Sequence, residues 1–171
     1  FDCKRLNRIN FSKLPLKLRE ILENKFVILH IGLIGFFQAP YNILKVAELL
    51  SQYKDITFVF LGTGPFKKKI ESLMNKNAKI VKYFGPYQPL ELRNLMSKID
   101  WVVMGSIWWE NSPLVIQEAF KYKKPVICPN IGGMAEKVKN GIGGFTYKWK
   151  NPKSLAELIC KVIEDEELYQ K

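Results

Sequence analysis

Ile56-Thr57-Phe58-Val59-Phe60-Leu61-Gly62-Thr63-Gly64-Pro65-Phe66 is the stretch that decides the fold. An unbroken run of β-branched, aromatic and aliphatic residues reads as a strand buried on both faces, the kind found inside a parallel sheet. Two glycines then permit a tight turn, and Pro65 stands where a helix start tolerates a missing N–H. Strand, glycine turn and helix start in direct succession are the unit from which α/β proteins are built.

The unit recurs on both sides. Strands are predicted over 26–31, 56–61, 79–83, 101–104, 125–128 and 144–147, and helices near 41–52, 65–75, 89–97, 113–122, 133–140 and 152–164. Pro65, Pro89, Pro113 and Pro152 mark first turns, and Asn151 and Ser112 offer side chains that can cap free N–H groups. The pattern predicts an α/β domain over 26–171, a Rossmann-like, doubly wound parallel sheet of about six strands with helices on both faces. Segment 1–25 differs, with Leu14, Leu16, Leu18, Ile21 and Leu22 among many basic residues, and reads as a lead-in helix or interdomain linker. The chain opens at Phe1 rather than methionine, so a further N-terminal portion is expected.

Twenty-seven basic against 16 acidic residues in 171 leave a net charge of +11. Such a field attracts polyanions, anionic lipid or phosphorylated ligands without saying which. The lysines are scattered, with short runs at Lys67-Lys68-Lys69 and Lys121-Tyr122-Lys123-Lys124, and no aromatic-glycine RNA-binding signature accompanies them. A solvated face is the plainest reading, an anionic membrane surface the next, and nucleic acid the weakest. Cys3, Cys128 and Cys160 lack the paired spacing of a metal or redox motif and read as reduced thiols of a cytoplasmic protein. The most apolar stretch, 26–37, is too short to span a bilayer. The expected location is therefore cytoplasmic, with peripheral attachment to the inner face of the membrane left open.

In parallel α/β sheets, ligands bind beyond the C-terminal ends of the strands. Gly62 and Gly64 follow the second strand, where a purely structural turn is an equal reading. After the fourth comes Gly105-Ser106-Ile107-Trp108-Trp109-Glu110-Asn111-Ser112-Pro113-Leu114-Val115-Ile116-Gln117-Glu118-Ala119. The free N–H groups of Leu114 and Val115, with the positive end of the helix dipole, suit a diphosphate. Glu110 ahead of them and Glu118 beyond can accept hydrogen bonds from sugar and ribose hydroxyls, since ionised carboxylates only accept. Without further information both glutamates also read as solvent-facing charges, Glu118 beside Lys121.

The run 108–119 resembles the E-x7-E region of family 4 (group 1) retaining glycosyltransferases. Lys124-Pro125-Val126-Ile127, Ile131-Gly132-Gly133-Met134-Ala135-Glu136 and Asn140-Gly141-Ile142-Gly143-Gly144 resemble elements that follow it in the family, and Leu61-Gly62-Thr63-Gly64-Pro65 and Tyr83-Phe84-Gly85 its strand-end glycines. The resemblance implies the C-terminal half of a GT-B fold, binding a nucleoside-diphosphate sugar, UDP- or GDP-linked, with no cofactor and no metal. It implies that Glu110 contacts the transferred sugar and Glu118 the ribose. It also implies that the backbone of Asn111, Ser112, Pro113, Leu114 and Val115 lies along the phosphates, with Gly35, Gly62 and Gly64 lining the site and Pro86-Tyr87 meeting the base. Trp108 and Trp109 either flank the sugar or pack against neighbouring loops. Gly132, Gly133 and Glu136 shape the adjoining turn, and His30, inside the first strand, reads as a buried histidine rather than a base.

One element departs from the family. Its first strand is normally followed by G-R-L-x-x-x-K-G, whose two cations neutralise the departing diphosphate. Here the segment is Gly32-Leu33-Ile34-Gly35-Phe36-Phe37-Gln38-Ala39-Pro40, with neither cation in either register. At roughly 1.5–3 kcal/mol per charge-assisted hydrogen bond, the pair is worth about 3–6 kcal/mol, or some two to four decades in rate. Two expectations follow. One is a hexosyltransferase whose acceptor, a glycan or lipid-linked sugar, is bound by a preceding domain, this domain alone being inactive. The other is a non-catalytic nucleotide-binding or scaffolding module with a degenerate donor site.

Overall fold

The computed structural model describes residues 25–53, 55–77 and 80–164. The expected lead-in segment, apart from Lys25, and Cys3 lie outside these residues. Seven strands form one sheet: β1 Phe26–Ile31, β2 Ile56–Leu61, β3 Val81–Gly85, β4 Trp101–Val103, β5 Val126–Pro129, β6 Lys139–Asn140 and β7 Gly143–Tyr147, in the order β3-β2-β1-β4-β5-β7-β6 with every pairing parallel. The helices are α1 Pro40–Leu49, α2 Lys67–Met74, α3 Pro89–Met96, α4 Leu114–Lys121, α5 Gly132–Lys137 and α6 Pro152–Glu164.

Strand alternation sorts the core into two layers. Val27, Leu29 and Ile31 of β1 join Val59, Leu61, Val102 and Val126 against Leu92, Leu95 and Met96 of α3, Ile116 and Ala119 of α4 and Met134 of α5. Ile28, Phe58, Trp101, Val103 and Ile127 face the other way, onto Ile43, Leu44 and Ala47 of α1, Ile70 and Met74 of α2, and Leu155 and Ile159 of α6. β1 and β2 therefore need apolar residues at nearly every position, which is why they read as continuous runs. Tyr147 ties the edge inward: its buried hydroxyl donates to the Met104 carbonyl at 2.9 Å, reaching from β7 across β5.

The expected six strands are all present, the first two with the ends expected and the other four with shifted ends. β3 runs to Gly85 because its ladder with β2 continues through Leu61↔Gly85 after a register shift. β6, a two-residue strand, carries no period-2 pattern to read. The cap expected from Ser112 is a correction: Pro113 is the N-cap residue of α4, no side chain caps it, and the Ser112 hydroxyl instead accepts from Gln117 Nε2 at 2.9 Å. Pro113, rigid and extended at the boundary, leaves Ser112 one residue too early to reach the helix amides. Asn151 does cap, its Oδ1 accepting from the Ser154 N–H at 3.0 Å, and α3 closes a capping box between Gln88 and Glu91.

Cys128 is a free, buried thiol whose pKa burial pushes up to about 12, and Cys160 is a partly buried one packed on the α6 layer. No helix among the described residues is long and apolar enough to cross a membrane.

His30 is buried in β1 as expected, its ring 5.4 Å from that of Phe60 and its Nδ1–H directed at the Val103 carbonyl at 3.3 Å. Burial lowers its pKa from 6.5 to about 4, partly offset by that carbonyl. The folded protein thus holds a neutral imidazole, whereas the unfolded chain takes up a proton below about 6.5. Stability from this residue is complete above that pH and declines as pH falls toward 4, by about 3 kcal/mol in all. Urea unfolding at pH 7 and pH 4.5 should show a drop that is smaller in His30→Gln by about 2 kcal/mol or more; parallel pH profiles for the two proteins would contradict it.

Candidate functional site

The strand order reverses between β1 and β4, and the turns that leave their C-terminal ends diverge there, which is where open α/β sheets form a ligand crevice. Five turns border this edge, and backbone hydrogen bonds join them. Gly32 N donates to Leu61 O at 3.0 Å, Ile34 N to Thr63 O at 2.9 Å, Phe66 N to Ile34 O at 3.1 Å and Gly62 N to Gly85 O at 2.8 Å. Across the crevice, Ile107 N donates to Phe37 O at 2.8 Å, and Gly133 N to Glu110 O at 2.8 Å. Tyr83 adds a hydroxyl donated to Gly62 O at 2.9 Å.

These approaches require glycine at two points. A Cβ on Gly62, whose φ is +131°, would lie 1.8 Å from the Gly32 carbonyl oxygen. One on Gly133 would lie 1.9 Å from the Asn111 carbonyl oxygen. Gly132 and Gly133 thus serve the turn at 109–111 by letting α5 begin directly against it, as expected. Ala39 holds a left-handed conformation (φ 42°, ψ 51°) just ahead of α1, a strained state for a residue with a side chain. Its neighbours fix it there, its carbonyl lying 2.7 Å from where Gly105 would carry a Cβ.

The expected site residues gather around α4. Leu114 and Val115 are its first residues, so their N–H groups have no acceptor within the helix. Val115 backs onto Gly32, its Cγ2 3.8 Å from that residue's absent Cβ, which sets the helix start at the end of β1. Glu118, half-buried one turn on, is close enough to raise the pKa of Tyr87, though burial of the phenol is the larger cause. The carboxylate of Glu118 therefore lies within electrostatic reach of the loop that carries Tyr87. Glu110 is half-buried; Asn111 and Ser112 are exposed, Pro113 buried. Gly62 and Gly64 both follow β2, and a Cβ on either would meet the backbone of the turn after β1, while Gly35 lies buried beside Leu33 and Gln38. Among the described residues no group of His, Cys, Asp or Glu side chains gathers where it could hold a metal.

The tryptophan pair differs from its packed reading. Trp108 and Trp109 are 56% and 63% exposed, and Trp108 touches Phe37 with ring centroids 4.8 Å apart. Beside them the segment after β1 presents Leu33, Phe36 and Phe37 to solvent where the two cations were sought. In the sequence these positions stand out as missing cations, and the adjacent Phe36-Phe37 pair directly after Gly35 is the local sign of exposed rings.

Residues 17–171 match the family described as Glycosyl transferases group 1. The chain belongs to that family, and its Rossmann-like parallel sheet matches those of GT-B glycosyltransferases. An uncharacterized glycosyltransferase of Methanocaldococcus jannaschii is 30% identical over 168 residues, covering 89% of this chain and 48% of that protein. The N,N'-diacetylbacillosaminyl-diphospho-undecaprenol alpha-1,3-N-acetylgalactosaminyltransferase of Campylobacter jejuni is 30% identical over 86% of this chain and 38% of its own length. Anabaena HepE, solved in complex with UDP-glucose, superposes with a TM-score of 0.78 at 25% identity, over 90% of this chain and 43% of that one. The chain thus spans about half or less of the length of these relatives.

Because Gly133 meets backbone rather than a flexible side chain, Gly133→Ala must push the 109–111 turn away from α5. It should lower the unfolding free energy by more than about 2 kcal/mol in urea. Gly141→Ala, where a Cβ meets nothing and only the positive φ is penalised, should cost about 1 kcal/mol.

Proposed function

We propose that this domain is the donor-binding half of a retaining hexosyltransferase, taking a UDP- or GDP-linked sugar without a metal ion. The observation that carries the reading is that α4 opens at the β1/β4 reversal with amides that have no acceptor within the helix and carries Glu118 one turn on, within electrostatic reach of Tyr87. In this reading Tyr87 and Pro86 lie against the base, Glu118 accepts from the ribose diol, and Leu114 and Val115 donate to the diphosphate. Glu110, held by its carbonyl on Gly133, accepts from hydroxyls of the transferred sugar. HepE, similar over nearly all of this chain, was solved with UDP-glucose, which supports a nucleotide sugar as ligand.

The chemistry asks for orientation more than for acid–base catalysis. The acceptor hydroxyl attacks the anomeric carbon from the face the leaving diphosphate departs, and its proton passes to the diphosphate oxygen as the bond from that carbon to the diphosphate breaks, so the anomeric configuration is kept. The protein's part is to fix the sugar and stabilise charge on the phosphate through helix amides already in position. The acceptor, a glycan or a lipid-linked sugar, belongs to a domain outside this chain; the Campylobacter relative, named for a diphospho-undecaprenol substrate, favours the lipid-linked class.

A second reading has one observation in its favour: the turn after β1 is uncharged, and Leu33 and Phe36 stand exposed there. A domain that binds nucleotide, or only scaffolds, has no need of cations for a leaving group. Calorimetric titration with UDP, GDP and UDP-glucose separates the readings. We expect weak binding by the 171-residue chain, reduced about ten- to a hundredfold in Glu118→Ala through loss of charge-assisted hydrogen bonds, and no sugar transfer by this chain alone. Binding indifferent to Glu118→Ala, or none in the wild type, favours the scaffold, and transfer by residues 1–171 alone overturns the assignment of acceptor binding to another domain.

A further inference from the structure

Asn140 is the one asparagine in the chain that is followed by glycine, and the pair carries a reactivity separate from the donor site. The carbonyl carbon of an asparagine side chain can be attacked by the amide nitrogen of the next residue, closing a succinimide ring, and glycine is the residue that leaves this nitrogen least obstructed. Here the obstruction is absent on both counts, since a Cβ on Gly141 would meet nothing within 4 Å and Asn140 is exposed. The partners of the two groups nevertheless hold them apart. Asn140 Oδ1 accepts from the Thr146 N–H at 2.8 Å and from the Thr146 hydroxyl at 3.2 Å, which draws the carboxamide across to β7. The Gly141 N–H donates to Gly144 O at 3.0 Å, so the nitrogen keeps the proton it must lose before it can attack. Asn140 also pairs with Gly144 as the last residue of β6, a two-residue strand at the sheet edge. All of these contacts are internal to residues 139–147 and lie where β5 and β7 begin, at the end of the sheet opposite the crevice.

We propose that Asn140 and Gly141 form a self-modification site that the β6–β7 edge holds shut and that local opening of this edge releases. Once open, the Gly141 nitrogen loses its proton to hydroxide and attacks Asn140 Cγ. The N–Cγ bond forms and the Cγ–Nδ2 bond breaks, Nδ2 leaving as ammonia with a proton taken from water. A water molecule then opens the ring at Cγ, which gives aspartate, or at the main-chain carbonyl of residue 140, which gives isoaspartate with an added methylene in the backbone. Water is the only co-reactant, and nothing is oxidised or reduced. An element held by few bonds opens far more often than the whole domain, so the change accumulates in chains that are otherwise folded. Aspartate at 140 still accepts from both Thr146 donors, whereas isoaspartate lengthens the chain between β6 and β7 and breaks the pairing with Gly144.

The test follows the 171-residue chain by peptide mass mapping during incubation at neutral pH, folded and in guanidinium chloride. Conversion of amide to acid is expected at Asn140 before any other asparagine, and at least about tenfold faster in the denatured chain, where the bonds to Thr146 and Gly144 are gone. Thr146→Val keeps a β-branched residue in β7 but removes the hydroxyl. It should raise the folded-state rate about two- to tenfold and leave the denatured rate unchanged. Gly141→Ala should slow the reaction in the denatured chain. Asn140→Asp should gain no mass and melt no lower than the wild type, while the isoaspartate fraction of aged wild type melts lower than both. Equal rates in the folded and denatured chain would overturn the proposal, as would a Thr146→Val rate matching that of the wild type, or conversion appearing first at Asn111.

Discussion

The Gly32 carbonyl oxygen occupies the place where a side chain on residue 62 would begin, and much of the ligand edge rests on that contact. It lets the turns after β1 and β2 lie backbone against backbone and exchange hydrogen bonds as though the ladder continued past the strands. The same device recurs where Gly133 admits the Asn111 carbonyl. Interlocked turns cannot drift independently, so a site made of several loops acquires the rigidity of the sheet beneath it. Binding polar ligands at low entropic cost requires that rigidity.

Charge is arranged differently from mass. Most of the +11 excess is spread over solvent-facing lysines, yet the turn nearest the helix amides is neutral and aromatic. In the proposed reading phosphate is held there by helix dipole and amides, whose strength does not depend on a side chain finding its place. Without cations, the protein has less with which to stabilise negative charge building on a leaving group. The rings that stand in their place leave this edge apolar and exposed.

Much of the fold was legible because parallel strands advertise themselves. β1 and β2 are apolar at nearly every position since each is covered on both faces, and the glycine turns and prolines that follow them punctuate the chain. The ends of β3 were not legible, because its last pairing is set by a register shift against β2 rather than by side-chain pattern. The run 108–119 points to the start of α4 as a candidate site only through resemblance, whereas Ser112 reads as a cap on composition alone and loses that role to the rigid Pro113.

The sequence by itself determined the layers, the order of elements and the family, all written in local patterns or in short motifs spaced along the chain. The tertiary structure alone decided which turns touch, that Tyr87 stands beside Glu118, and that Leu33, Phe36 and Trp108 face solvent rather than each finding a core. Those facts depend on the relative position of segments far apart in the chain. Closeness of that kind is settled by packing across the sheet, and an apolar residue bound for the surface is spelled with the same letters as one bound for the core.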